Sequence, residues 1–419
     1  MAKRRLVTVL VVVLFSVVAI FGTAVAQDKK GKPKFEWEAQ DGISHLSPGL
    51  TVQLLYSYYE KDMGEDIHPE YSSEIEWRRI RPKLSGNLFS DKLGFYLHAS
   101  TAPGSIELLD MYLDYSFHKQ ARLRVGQYKI PFTQYRQNSY SNIMLPEWPV
   151  TVRYFGAERQ MGIMLHNGVN SSQTFEYRVG LFNGMNARKS NGVGTARVTG
   201  EVVANPSDLI EPGPQDEFHP ETVAYLGYNY GGIDNSVGTD WKKTGPRLAL
   251  GASGTYDSNP VPYRDFSLRA APELLFKVYG FSIGGVYYVG WYEEDGEADQ
   301  RAVSMTGAMG KAGYLIGRWV EIVARYSWVG INEDFREDAL DRAQAFIASA
   351  PEDELEEVTA QYKKAGTIKT ESELNAGFNI YIFKTNLKLQ NDISLLDRTD
   401  LDDETYRDLR WRSQLQFSF

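Results

Sequence analysis

The chain has no cysteine, which removes disulfide staples and thiolate metal sites from consideration. Its six histidines, at positions 45, 68, 98, 118, 166 and 219, show no ligand spacing, so neither a metal nor another cofactor is expected. Beyond one N-terminal stretch no apolar run exceeds a handful of residues, which leaves no candidate for a membrane-spanning helix. Positive charge is in deficit as well. The formal net charge is −9 and falls to −12 without residues 1–26, which carry Lys3, Arg4 and Arg5 and no acid. Nucleic acid is a poor partner for such a chain.

What is present begins with a signal. Lys3, Arg4 and Arg5 precede an uninterrupted apolar run from Leu6 to Phe21 and a small-residue site at Ala24-Val25-Ala26. This reads as a signal peptide, residues 1–26, removed after export. The rest shows no linker-like change of composition, so one long β domain over 46–419 is expected after a periplasmic segment at 27–45. Aromatic residues make up 13% while mean hydropathy is only −0.38. A barrel with a lipid face and a wet lumen combines those two properties.

Period-two patterning supports it. Leu50, Val52, Leu54, Tyr56 and Tyr58 alternate with Thr51, Gln53, Ser57 and Tyr59, Leu55 being the exception. Leu93, Phe95, Leu97 and Ala99, then Met111, Leu113, Tyr115 and Phe117, repeat the dyad with Asp110 and Asp114 on the other face. A soluble sandwich could show the same strands, but connection lengths separate the cases. Tight turns at 90–92, 118–120, 317–318 and 384–385 alternate with long polar stretches at 61–72, 131–158 and 331–370. Outer-membrane barrels have short periplasmic turns and long extracellular loops.

Seventeen segments read as strands, one more than an even-numbered barrel holds, and the weak ones lie near 197–204, 222–231 and 247–256. An all-β transmembrane antiparallel barrel of about 16 strands is therefore expected. One insert departs from it. Leu340, Ala343, Phe346 and Ile347, then Leu355, Val358 and Tyr362, take helical spacing, predicting a helical extracellular loop at 331–370. The final strand places Leu409, Trp411, Leu415, Phe417 and Phe419 outward with Arg410, Arg412, Gln414 and Gln416 inward. A terminal aromatic on such a strand is expected to act as the signal for the barrel-assembly machinery.

The most informative strand runs from Glu74 to Phe89. Ile80, Leu84 and Leu88 share one face, so Arg79, Arg81 and Lys83 climb the other with Arg78 at the rim. Stacked cations on a lumen wall favour small anions; the competing reading is charge balance against Asp110 and Asp114. The segments Arg78-Arg79-Ile80-Arg81-Pro82-Lys83-Leu84-Ser85-Gly86, Arg124-Val125-Gly126-Gln127-Tyr128-Lys129-Ile130-Pro131-Phe132 and Gly180-Leu181-Phe182-Asn183-Gly184, with the closing Phe419, resemble the phosphate-selective porin O and P family. The likeness extends over nearly the whole mature chain. It implies a trimeric sixteen-stranded pore in the outer-membrane lipid, with 133–158 folded inward as a constriction. It also implies that Arg78, Arg79 and Lys129 stand along or near the pore.

An enzyme is not expected. Gly280-Phe281-Ser282-Ile283-Gly284 satisfies the serine-hydrolase elbow pattern, but that elbow needs a strand-to-helix turn and these residues continue an alternating strand. Asp110 and Asp114 are about 13 Å apart along a strand, too far for an acid and base pair. The rival to a pore is a lipid-acting barrel enzyme using Ser282 with a histidine such as His98.

Overall fold

The computed structural model describes residues 37–38, 44–62, 69–101, 106–156, 159–169, 172–184, 220–258, 266–293, 304–333 and 368–419. Strands β1 to β8 are His45–Lys61, Glu70–Asn87, Leu93–Ser100, Glu107–His118, Ala121–Lys129, Arg159–His166, Phe175–Phe182 and Glu221–Tyr230. Strands β9 to β16 are Arg247–Asp257, Phe266–Val278, Phe281–Glu293, Met305–Ile316, Val320–Ile331, Ile368–Phe383, Leu387–Asp400 and Thr405–Ser418.

Each strand pairs antiparallel with its neighbour in the chain, and β16 returns to β1 with Phe417 opposite Val52 and Leu409 opposite Glu60. The ring is closed, with sixteen strands. The doubtful strands at 222–231 and 247–256 correspond to β8 and β9, which pair through Tyr230 opposite Leu248. The third weak segment, 197–204, lies outside the described residues, and the ring closes without it. So does nearly all of the expected helical insert at 331–370. The helices described are short ones in the β5–β6 connection, α1 at Gln134–Gln137 and α2 at Val150–Phe155.

The alternation read from the sequence divides outside from inside. Leu226, Ile283, Ile322 and Ile393 are exposed on the outer face, where lipid rather than water would solvate them. Inward residues form a polar network instead. Gln53 donates to Gln416 at 2.7 Å, Gln414 to Gln390 at 3.1 Å, and Arg412 bonds both oxygens of Asp392. Many interior charges are paired, since an unpartnered buried charge is costly.

Closure removes every strand edge. The folded barrel should therefore resist dodecyl sulfate and change mobility on a gel only after boiling. Identical mobility before and after heating, for a preparation with a full β signal, would contradict a closed ring.

Candidate pore and its charged lining

Among the described residues, two connections turn back into the barrel. The first is the β5–β6 connection, described over 130–156, here the inward loop. Its launch explains the segment from Arg124 to Phe132. Gly126 has φ +134°, and a Cβ there would lie 2.2 Å from the Met111 carbonyl oxygen, so glycine is required where β4 and β5 approach. Gln127 then donates to the Leu108 and Leu109 carbonyls at 3.0 and 3.1 Å. Beyond Pro131, Phe132 is wholly buried.

The wall opposite is built to receive the loop. Phe132, Tyr135, Val150, Val152 and Phe155 pack on inward apolar residues of β8 and β10–β13, among them Val223, Ala271, Val286, Tyr288 and Met309. Phe155 stacks on Tyr288 with ring centroids 5.0 Å apart. Wall side chains satisfy the loop's backbone. Glu273 accepts from the Gln134 and Tyr135 amides. Lys388 donates to the Ile143 carbonyl at 2.9 Å, Arg325 to Glu147 at 2.7 Å and Asn379 to Met144 at 2.8 Å.

The second is the β8–β9 connection at 231–246, which enters from the short-turn end. Lys277 donates to the Asp234 and Val237 carbonyls at 2.7 and 2.6 Å, and Asp240 pairs with Arg247 at 2.6 Å. This turn meets the inward loop directly, through Asn138 to the Asn235 carbonyl at 3.3 Å and Asn142 to the Ser236 carbonyl at 3.2 Å. It was not anticipated, because a polar turn carries no mark of the side on which it folds.

Both connections pack mainly on the β7–β15 side, and open space lies along β1–β6 and, toward the long-loop end, beside β14–β16. Strand β2 orders it from the long-loop end downward. An upper cavity of about 360 Å³ borders Glu70 and Ser72 together with the pairs Arg153–Glu371 and Arg398–Asp408 and with Arg410. Arg79 follows. Arg81 then borders a central cavity of about 280 Å³ with His98, Asp110, Arg124, Lys129 and Arg159. Lower still, Ser85 to Asn87 border a cavity of about 440 Å³ with Asp91, Asp114, Lys92, Arg122 and Arg124. The central and lower cavities share Tyr96, Tyr112 and Arg124.

The four cations read from one strand divide into different roles. A bulge at Arg78, where Gln53 faces Arg79 and Leu54 faces Trp77, lets consecutive arginines reach Glu147 of the inward loop. Arg78 Nε donates to it at 2.6 Å and Arg79 at 2.8 Å. Burial pushes the Glu147 carboxyl up, but Arg79 and Arg78 outweigh it and hold it down at about 2. Arg79 and Arg81 also lie 3.9 and 4.6 Å from the centroid of the Tyr140 ring. Arg81 Nε is buried without a hydrogen-bond partner among the described residues. Lys83 departs from the group. Its Cε fills the space over Gly49, beside the Phe419 carbonyl at the seam.

Lys129 Nζ is tied to the inward loop, donating to the Arg136 and Asn138 carbonyls at 3.1 and 3.0 Å. Asp110 and Asp114 do not balance the β2 cations. Asp110 takes Arg159 at 2.8 Å and His98 at 2.7 Å, and Asp114 takes Arg124 at 2.6 Å and His166 at 3.2 Å. Register sets these pairs: Arg124 lies directly opposite Asp114 and His98 opposite Asp110 on the adjoining strands, while Arg159 and His166 reach the same two carboxylates from β6. Arg124 stands inside the quoted motif, whereas Arg159 and Glu147 had no pattern to mark them.

The elbow-like serine does not meet a base. Ser282 is buried, and its Oγ has no hydrogen-bond partner among the described residues. His98 is bound to Asp110.

A charged lining, basic at the central cavity, along a partly filled barrel suits a channel. Residues 56–208 match the family model of phosphate-selective porin O and P. The three internal segments that carried the resemblance all fall within that match, whereas Phe419 lies beyond it. The outer membrane channel DcaP of Acinetobacter baumannii has a similar fold, with TM-score 0.55, 12% identity, and coverage of 91% of this chain and 99% of that one. An anion-selective porin from Comamonas acidovorans gives TM-score 0.55 at 12% identity, covering 90% and 100%. OprB of Pseudomonas putida gives 0.52 at 11%, covering 88% and 94%. At these identities the likeness is one of fold. No curated protein sequence shows a significant match. The match over residues 56–208 and the barrel fold shared with these proteins support a channel.

Proposed function

We propose that this porin prefers small anions, phosphate-like oxyanions among them, and that Arg81 carries the preference. The supporting observation is the charge of the central cavity. Arg81, Lys129, Arg159 and Arg124 surround it; Asp110 offsets Arg159 and Asp114 offsets Arg124. Four cations against two carboxylates leave a surplus of two. Lys129 spends its hydrogen bonds on the inward loop, so Arg81 is the cation placed to meet an ion. The net negative charge of the chain does not oppose this, since charges in loops and rims beyond about 8 Å are screened at physiological salt. The family resemblance adds a homotrimer to the proposal, with the assembly machinery engaging Phe419.

The test is the reversal potential in a planar bilayer under a potassium chloride gradient. A unit charge at ~4 Å in a protein-like dielectric is worth about 4 kcal/mol before screening. Arg81→Ala should therefore cut the anion-over-cation permeability ratio severalfold, while Lys83→Ala should leave it within error. A parent that favours cations, or an Arg81→Ala channel with the parent's reversal potential, would refute the proposal.

A further inference from the structure

Tyrosine rings border the central cavity on two sides. On the barrel wall Tyr96, Tyr112 and Tyr128 form a row across β3, β4 and β5, with centroids 5.3 Å apart in a stacked pair and 5.6 Å apart in an edge-on pair. Across the cavity stands Tyr140 of the inward loop, held by the guanidinium groups of Arg79 and Arg81. All four rings line the same space of about 280 Å³, as does Val169.

For a bare oxyanion only the cationic half of this lining is of use. The rings offer it no donor, whereas they favour cations, such as Arg124 at 4.0 Å from the Tyr112 centroid, and other rings. A selective inorganic path needs only donors. A sugar could use the rings and the hydroxyls but brings no charge to Arg81, and Asp110, the carboxylate at this cavity, is occupied by Arg159 and His98. A ligand with one flat ring and one carboxylate satisfies both halves of the wall. Its ring takes the tyrosine side and its carboxylate takes Arg81, and a volume near 300 Å³ is at the lower end for small-ligand sites.

We propose that the central cavity is a transit site for small aromatic carboxylates, with Tyr96, Tyr112 and Tyr140 as the ring contacts and Arg81 as the carboxylate anchor. The inference rests on the anion preference proposed above and adds the class of solute.

The experiment measures block of chloride current through single channels of the full-length protein by benzoate, cyclohexanecarboxylate, acetate and inorganic phosphate. Benzoate should reach half-block at about one tenth of the concentration needed by acetate or phosphate, since favourable ring contacts together amount to roughly tenfold. It should also act below cyclohexanecarboxylate, which matches it in charge and nearly in size. The paired change Tyr96→Leu, Tyr112→Leu should bring the benzoate-to-acetate ratio toward one, whereas Tyr96→Phe, Tyr112→Phe should keep it. Equal half-blocking concentrations for benzoate, cyclohexanecarboxylate and acetate in the parent would overturn the inference, and need no variant to fold. An unchanged ratio in the leucine variant would overturn it too. The parent's reversal potential keeps the two proposals apart: a cation-preferring parent refutes both, and an anion-preferring parent blocked equally by all the acids refutes this one alone.

Discussion

Changing Phe419 to aspartate is expected to lower the yield of heat-modifiable barrel in outer membranes more than tenfold, while the same variant refolds in detergent with nearly the parent's stability. The structure separates the two effects. The Phe419 ring is 48% exposed and packs on Phe417 with centroids 5.6 Å apart. The backbone closes the seam, Leu50 donating to the Phe419 carbonyl at 3.2 Å and Phe419 donating to the Leu50 carbonyl at 3.0 Å. Those bonds survive a side-chain change. An exposed ring contact contributes only about 1 kcal/mol, and a charge near the edge of the lipid face costs about 0–1 kcal/mol. Loss of yield in cells without loss of stability in detergent would assign the residue to recognition during assembly. Normal yield in cells would refute that role, and equal losses in both settings would make it structural.

Glu147→Ala is expected to raise single-channel conductance and open-channel noise and to steepen the anion preference. Glu147 is the carboxylate through which the inward loop grips Arg78 and Arg79. Removing it leaves Arg79, which is 5% exposed, with the Gln53 side chain at 2.9 Å as its remaining hydrogen-bond acceptor. Breaking a buried ion pair costs about 3–5 kcal/mol; partial exposure of Arg78 and Glu147 reduces the figure here. The loop keeps its apolar anchor at Phe132 and Phe155, so the barrel should assemble with the loop loosened at one point. Glu147→Gln should lie between alanine and parent. A variant with the parent's conductance, noise and reversal potential would show that the grip is immaterial.

The same pair sets a pH dependence. The carboxyl of Glu147 sits at about 2, below its ordinary value. Its contribution is therefore complete above the unfolded value, near 4.3, and is lost only as the pH falls toward 2. Conductance governed by this grip should stay level from neutral pH down to about 4.

The period-two pattern determined the two faces of each strand by itself, because a strand's inside and outside follow from parity alone. Leu50 to Tyr58 and Leu409 to Phe419 showed their lipid and lumen faces with no knowledge of their neighbours, and turn lengths showed that the strands meander. The motif from Arg124 to Phe132 also marked where the chain would leave the wall, since Gly126 and Pro131 are backbone requirements written in residue type. What the lumen holds was decided by tertiary structure. Arg79, Arg81 and Lys83 look equivalent along β2, yet Glu147 occupies the first, Lys83 lies over Gly49 at the seam, and Arg81 is left facing the cavity. Glu147 lies more than sixty residues from the arginines it binds, in a loop without periodicity. The inward turn at 231–246 and the tyrosine row across three strands are equally invisible in sequence. Parity assigns a side chain to the lumen, but which other lumen side chain it meets depends on register, on the closing of the ring and on two loops that fold back inside it.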